Sequence, residues 1–170
     1  MTGRETFRIG PRAMKFFLLA FVLLVPLAVK AAEPPKVFAY ASQRGSEASM
    51  RQGPGYQYPV IWVYRHRGTP FGLTAQFDNW RRVVAPDGAV GWMSVAMLSS
   101  ARTVVVTGKG RAQIRADADL HSKITGLADP GAVAGLKACA RDACRIYKEG
   151  IDGWIAKDRI WGVRQDEVFK

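Results

Sequence analysis

From residue 41 onward the apolar positions fall in short stretches separated by Gly, Pro, Asp and Asn, and no 3.6-residue amphipathic period is sustained. This pattern predicts an all-β chain. In the first half it predicts strands over 48–51, 61–64, 71–77, 80–84, 90–94 and 102–107. In the second half it predicts strands over 112–115, 132–138, 144–148 and 153–156. Phe77-Asp78-Asn79-Trp80 and Ala85-Pro86-Asp87-Gly88 read as tight turns joining three adjacent antiparallel strands, because Asp, Asn and Gly tolerate the dihedrals such turns need. The segment from Cys139 to Cys144 and the run Glu149-Gly150-Ile151-Asp152 play the same part in the second half.

The two halves repeat. Met50-Arg51 entering Gly53-Pro54-Gly55 corresponds to Ile114-Arg115 entering Ala116-Asp117-Ala118. Trp80-Arg81-Arg82-Val83 corresponds to Ala143-Cys144-Arg145-Ile146, and Asp87-Gly88-Ala89-Val90-Gly91-Trp92 to Glu149-Gly150-Ile151-Asp152-Gly153-Trp154. A repeat of about 55–60 residues has room for a five-stranded barrel, whose closure removes exposed sheet edges. The junction between repeats is placed near Gly108-Lys109-Gly110.

Upstream the pattern changes. Lys15 is followed by an uncharged, mostly apolar run from Phe16 to Val29 that ends just before Ala31-Ala32. A basic start, a short apolar run and small residues at its exit predict a secretory signal peptide over 1–31, cleaved after Ala31, with Met14 as a more compact start. The run is shorter than the roughly 20 residues a membrane span needs. Residues 32–40, with Pro34-Pro35, read as an exposed leader. Export to the periplasm or cell envelope is therefore expected, with no membrane span after cleavage.

Composition and cysteine usage fit that expectation. With 48% hydrophobic and 23% charged residues the chain has globular composition and is expected to fold. Residues 1–31 carry five basic residues against Glu5, so their removal lowers the formal charge from +11 to +7, still basic enough to favour anionic partners. The only cysteines, Cys139 and Cys144, can close a hairpin in an oxidising compartment, and a disulfide is expected. A metal site needs more ligands than these and His121 supply, so neither metal nor other cofactor is expected.

The runs Met50-Arg51-Gln52-Gly53-Pro54-Gly55, Phe77-Asp78-Asn79-Trp80-Arg81-Arg82-Val83 and Gly88-Ala89-Val90-Gly91-Trp92 resemble the bacterial SH3 (SH3b) family, in its exported tandem form. Ile160-Trp161-Gly162-Val163 and the C-x4-C turn resemble that subgroup too. The resemblance implies two small SH3-like β-barrels, at 41–103 and 104–170, whose loops and an aromatic-lined groove bind peptides or cell-wall material. Two departures set the second repeat apart: Ala143 stands where the subgroup usually has an aromatic residue, and Ala116-Asp117-Ala118 replaces Gly-Pro-Gly.

The candidate ligand-binding residues are Tyr56, Tyr58 and Trp80, with Arg51 and Arg65. Large flat side chains with a polar tip bind sugars, prolines and peptide stems at low entropic cost. Tyr56 and Tyr58 share one side of an extended segment, and Arg65, His66 and Arg67 could hold an anionic group at the rim. Arg51 and Arg115 read first as donors that fix the loop following each of them through backbone carbonyls, and only second as groups that hold a ligand. Trp92 and Trp154 read as barrel packing.

Catalytic groups are poorly represented, and an enzyme is not expected. A Cys/His peptidase lacks its free thiolate, two isolated histidines cannot hold catalytic zinc, and Asp78 and Asp87 face each other across a cleft only by accident of loop geometry. The leading expectation is a non-catalytic exported module that recognises cell-wall (peptidoglycan) peptide or glycan. The alternatives are a protein–protein interaction subunit of an envelope complex and a basic nucleic-acid-binding barrel. Export counts against the last, so nucleic acid is not among the expected partners.

Overall fold

The structure, a computed structural model, describes residues 35–170. The expected signal peptide and the start of the leader lie outside the described residues. The first sheet contains β1 (Ala39–Gln43), β2 (Ala48–Arg51), β3 (Val60–Tyr64), β4 (Pro70–Phe77), β5 (Trp80–Val84), β6 (Val90–Ser94) and β7 (Leu98–Ser99), in the order β3-β2-β6-β5-β4-β1-β7. The second contains β8 (Thr103–Val106), β9 (Ala112–Arg115), β10 (Ile124–Ala128), β11 (Val133–Cys139), β12 (Ala143–Lys148), β13 (Ile151–Ala156) and β14 (Ile160–Trp161), in the order β10-β9-β13-β12-β11-β8-β14. A short 3-10 turn precedes the last strand of each sheet. The chain is all-β, as two tandem SH3-like barrels.

Local chemistry sets the three-stranded meander of each barrel. Asp78 adopts φ 45° in the β4–β5 turn, a left-handed conformation that Asp tolerates better than most residues, and Gly88 and Gly150 take positive φ in the β5–β6 and β12–β13 turns. The two sheets share a register. Val83 pairs with Gly91 as Ile146 pairs with Gly153, and Arg51 pairs with Trp92 as Arg115 pairs with Trp154. Gly91 and Gly153 are obligatory for one reason: a Cβ there would lie 2.8 Å from the carbonyl oxygen of Arg51 or of Arg115. Met50, Phe71, Val83 and Met93 fill the first core, and Val104, Val106, Ile114, Ile146 and Ile155 fill the second. Burial of each such side chain is worth about 1.5–3 kcal/mol.

Several expectations are corrected. Ala39 and Tyr40 are not leader but part of β1, and Phe38 already donates its N–H to the Leu73 carbonyl. The strand expected over 102–107 in the first half is β8, which pairs with β11 and β14 of the second sheet. Closure is incomplete, because β3 and β10 stand at sheet ends. Gly108-Lys109-Gly110 is a β8–β9 turn inside the second sheet rather than the junction, and the Arg159 guanidinium donates to the carbonyls of Thr107, Lys109 and Gly110.

The described residues form one compact unit. Between the barrels the Tyr40 hydroxyl donates to the Val163 carbonyl, its ring meets Trp161 edge-on at 5.4 Å, and Thr103 Oγ1 donates to the Gly68 carbonyl at 2.6 Å. Arg102, in the connection from β7 to β8, donates two hydrogen bonds to Glu167 and lies 5.5 Å above the Tyr40 ring.

Candidate functional site

The loop from Gln52 to Pro59 joins β2 to β3, and its two ends are tied by a Gln52 N–H to Pro59 carbonyl bond. Arg51 Nη1 donates to the carbonyls of Tyr56 (3.0 Å) and Tyr58 (2.7 Å). The Tyr58 ring lies over Gly53, where an added Cβ would be 2.6 Å from ring carbons. Tyr56 stands edge-on to Trp80 at 5.0 Å, with the Arg51 guanidinium 5.4 Å above its ring. Tyr56 is 66% exposed and Tyr58 39%, whereas Trp80 is only 8% exposed. Phe77, the cross-strand neighbour of Trp80, is 60% exposed. The arrangement is an exposed aromatic surface resting on a buried indole, its loop held by one arginine.

Four of the five predicted residues therefore come together: Arg51, Tyr56, Tyr58 and Trp80. Trp80 acts from below as a support, being largely covered. Arg51 holds the loop. Arg65 stands apart, at the other end of the β2–β3 hairpin, where it pairs with exposed Glu47 at 3.2 Å. Sequence reasoning missed Phe77 and Trp62. Trp62 is 54% exposed on β3, yet the uninterrupted run Val60-Ile61-Trp62-Val63 reads as a buried strand, and only the end position of β3 in the sheet brings it to solvent. Phe77 could have been found from its place flanking a two-residue turn, where a cross-strand aromatic pair is expected.

The second barrel keeps the scaffold and loses the surface. Its β9–β10 loop is closed by an Ala116 N–H to Lys123 carbonyl bond, and Arg115 Nη1 donates to the Ser122 carbonyl at 2.6 Å. This register equates 117–122 with 53–58, so Leu120 stands for Tyr56 and Ser122 for Tyr58, one residue along from the match read in sequence. Ala143, paired with Ala156, stands where Trp80 pairs with Ser94.

Chemically the surface can stack and donate hydrogen bonds. Cys139 and Cys144 are joined in a disulfide between neighbouring strands. Among the described residues no three His, Cys, Asp or Glu side chains gather to hold a metal ion, and no helix is long and apolar enough to cross a membrane. Tyr64, the last residue of β3, has its pKa raised by burial first and then by the charge and hydrogen bond of Asp87, so its hydroxyl stays a donor.

Two small antiparallel barrels with a shared register, an arginine-fixed loop in each and no gathered set of reactive groups among the described residues define a tandem SH3-like β-barrel protein. The bacterial SH3 domain family model matches residues 44–100 and 108–162, and the chain belongs to that family. No curated protein matches it. Among solved structures it is similar to NlpC2 from Trichomonas vaginalis (10% identity, 76% of this chain and 49% of that one, TM-score 0.34) and NlpC1 from the same organism (10%, 81% and 50%, 0.35). It is also similar to an NlpC/P60 family protein from Bacillus cereus (13%, 72% and 56%, 0.34). The chain spans about half the length of these proteins.

Proposed function

We propose that this protein is a non-catalytic, exported binding module that recognises cell-wall peptide or glycan through the aromatic surface of its first barrel. The observation that carries this reading is Tyr56, two-thirds exposed yet fixed by the buried Trp80 ring and by the Arg51 bonds beneath its loop. A flat side chain already ordered loses little entropy when a sugar or peptide stem stacks on it. The basic charge of the chain adds attraction towards anionic wall polymer, which salt screens.

The test is sedimentation with purified sacculi at low and moderate salt, using the mature protein and the Tyr56→Ala/Tyr58→Ala variant. Both side chains are exposed, so the variant keeps its fold. Salt-resistant binding that falls at least tenfold in the variant supports the reading. Binding that vanishes with salt, or is unchanged in the variant, overturns it and turns the search to a protein partner.

A further inference from the structure

The two barrels differ at the end away from the aromatic surface. In the first, Tyr64 and Phe71 meet edge-on at 5.0 Å and close the barrel, with the Tyr64 hydroxyl 3.4 Å from both Asp87 carboxylate oxygens. The register identifies their counterparts. Ala48 pairs with Tyr64 as Ala112 pairs with Ala128, and Ala41 with Phe71 as Val104 with Ala134. Both aromatic rings are thus methyl groups in the second barrel. A cavity of about 330 Å³ opens there, lined by Ala128 and Ala134 themselves and by Val106, Ile114 and Ile146. For comparison, an apolar cavity of about 150 Å³ is enough to hold benzene. Glu149 lines it too, and it precedes the positive-φ Gly150 as Asp87 precedes Gly88, so the carboxylate that accepts the Tyr64 hydroxyl has an equivalent.

We propose that this cavity binds a tyrosine side chain presented by a partner polypeptide, the ring entering between Ala128 and Ala134 and the hydroxyl donating to Glu149. The first barrel supplies the template for such an occupant from within its own sequence. Two features favour a polypeptide as its source. β10 stands at the end of its sheet and leads into the cavity through Leu127 and Ala128, and Leu127 is 51% exposed. A strand end of this kind adds an extended peptide by main-chain hydrogen bonding, while alternate side chains enter pockets. The site is separate from the first-barrel surface, so each proposal can fail alone.

The experiment is methyl-detected NMR titration of the full mature protein with p-cresol, toluene and a blocked extended tetrapeptide containing one tyrosine. Saturable shifts are expected at Ile114, Ile146 and Leu127, with Val83 of the first core unmoved. The peptide is expected to bind at least tenfold more tightly than p-cresol, and p-cresol more tightly than toluene. The Ala128→Tyr/Ala134→Phe variant rebuilds the first barrel's closure and abolishes the shifts; Ala134→Leu, a smaller filling, weakens them and serves where the double variant does not fold. Absence of shifts at these methyls, or shifts unchanged in a folded filled variant, overturns the cavity as a site. Equal binding of toluene and p-cresol overturns the Glu149 contact, and peptide binding no tighter than p-cresol overturns the polypeptide source.

Discussion

Replacing Arg102 by Ala tests whether the two barrels are fastened as one unit. Arg102 Nη1 and Nη2 bond to the two Glu167 oxygens at 2.7 and 3.2 Å, and Nη2 also donates to the Gly162 carbonyl at 3.0 Å. The guanidinium covers the Tyr40 ring at 5.5 Å and the Phe169 ring at 5.9 Å. The Arg102 side chain is 26% exposed and Glu167 only 11%, so deletion leaves a nearly buried carboxylate with little besides the Arg164 backbone N–H. Breaking a fully buried pair from one side costs about 3–5 kcal/mol, and partial exposure places this one at the lower end, about 3 kcal/mol. With an m-value near 2 kcal/mol/M, the urea midpoint falls by about 1.5 M. Tryptophan fluorescence is the readout, since Trp161 lies at this junction. Because the variants Arg102→Ala and Glu167→Gln act on one bond pair, their effects are expected to be non-additive by at least about 1 kcal/mol. A loss below about 1 kcal/mol, or strict additivity, refutes the clamp.

The same carboxylate sets an acid limit. Burial alone would raise the Glu167 pKa, but hydrogen bonds from Arg102 and the Arg164 N–H, with both guanidinium charges, hold it below the ordinary glutamate range. A depressed folded-state pKa gives stability that is complete above the unfolded value of about 4.3 and lost as pH falls below it. The urea midpoint of the Glu167→Gln variant should therefore fall less steeply below that pH than that of the wild type, the remainder including Asp152, whose pKa is also held down by hydrogen bonds from Lys137 and Arg145. Removing the disulfide with Cys139→Ser/Cys144→Ser opens a loop of sequence separation 5 and is expected to cost about 2 kcal/mol, read as a lower melting temperature that reductant reproduces in the wild type alone. Gly91→Ala places a methyl 2.5 Å from Met50 Cγ and 2.8 Å from a backbone oxygen, and is expected to cost about 1–3 kcal/mol by urea titration. Gly126→Ala, whose nearest neighbour is 3.9 Å away, should stay within about 0.5 kcal/mol of the wild type.

What was legible in the sequence depended on distance along the chain. The β4–β5–β6 and β11–β12–β13 meanders are written in local turn chemistry, with Asp78, Gly88 and Gly150 supplying the dihedrals, and their strands fall where the apolar pattern places them. β1 was hidden because Pro34-Pro35 and the short run Ala39-Tyr40-Ala41 look like leader, and its partners β4 and β7 are settled only by tertiary pairing. β10 escaped because Gly126 and Ala128 dilute its apolar signal. β8 reads from sequence as a strand of the first half, since contiguity says nothing of a partner as far downstream as Ile160. Of the candidate site, residues in or beside one loop were recognisable together. Arg65 was misplaced because a hairpin carries sequence neighbours of a site to its opposite end.

The repeat also accounts for where the stabilising chemistry lies. Trading Phe71 and Tyr64 for Ala134 and Ala128 removes one buried and one half-buried aromatic side chain from the end of the second barrel. That barrel carries devices at sites where the first has none of the kind. Cys139 and Cys144 form their disulfide in the register where Gln76 pairs with Arg81. The chain then returns so that Phe169 exchanges both backbone hydrogen bonds with Cys139 and packs on the core, while buried Lys157 donates to the carbonyls of Gln165 and Glu167 and pins that return. The disulfide, worth about 2 kcal/mol, and the docked C-terminal segment stabilise the second barrel by means the first lacks. The second barrel thus leaves this end open and is held through covalent and C-terminal contacts, whereas the first is closed there by Tyr64 and Phe71.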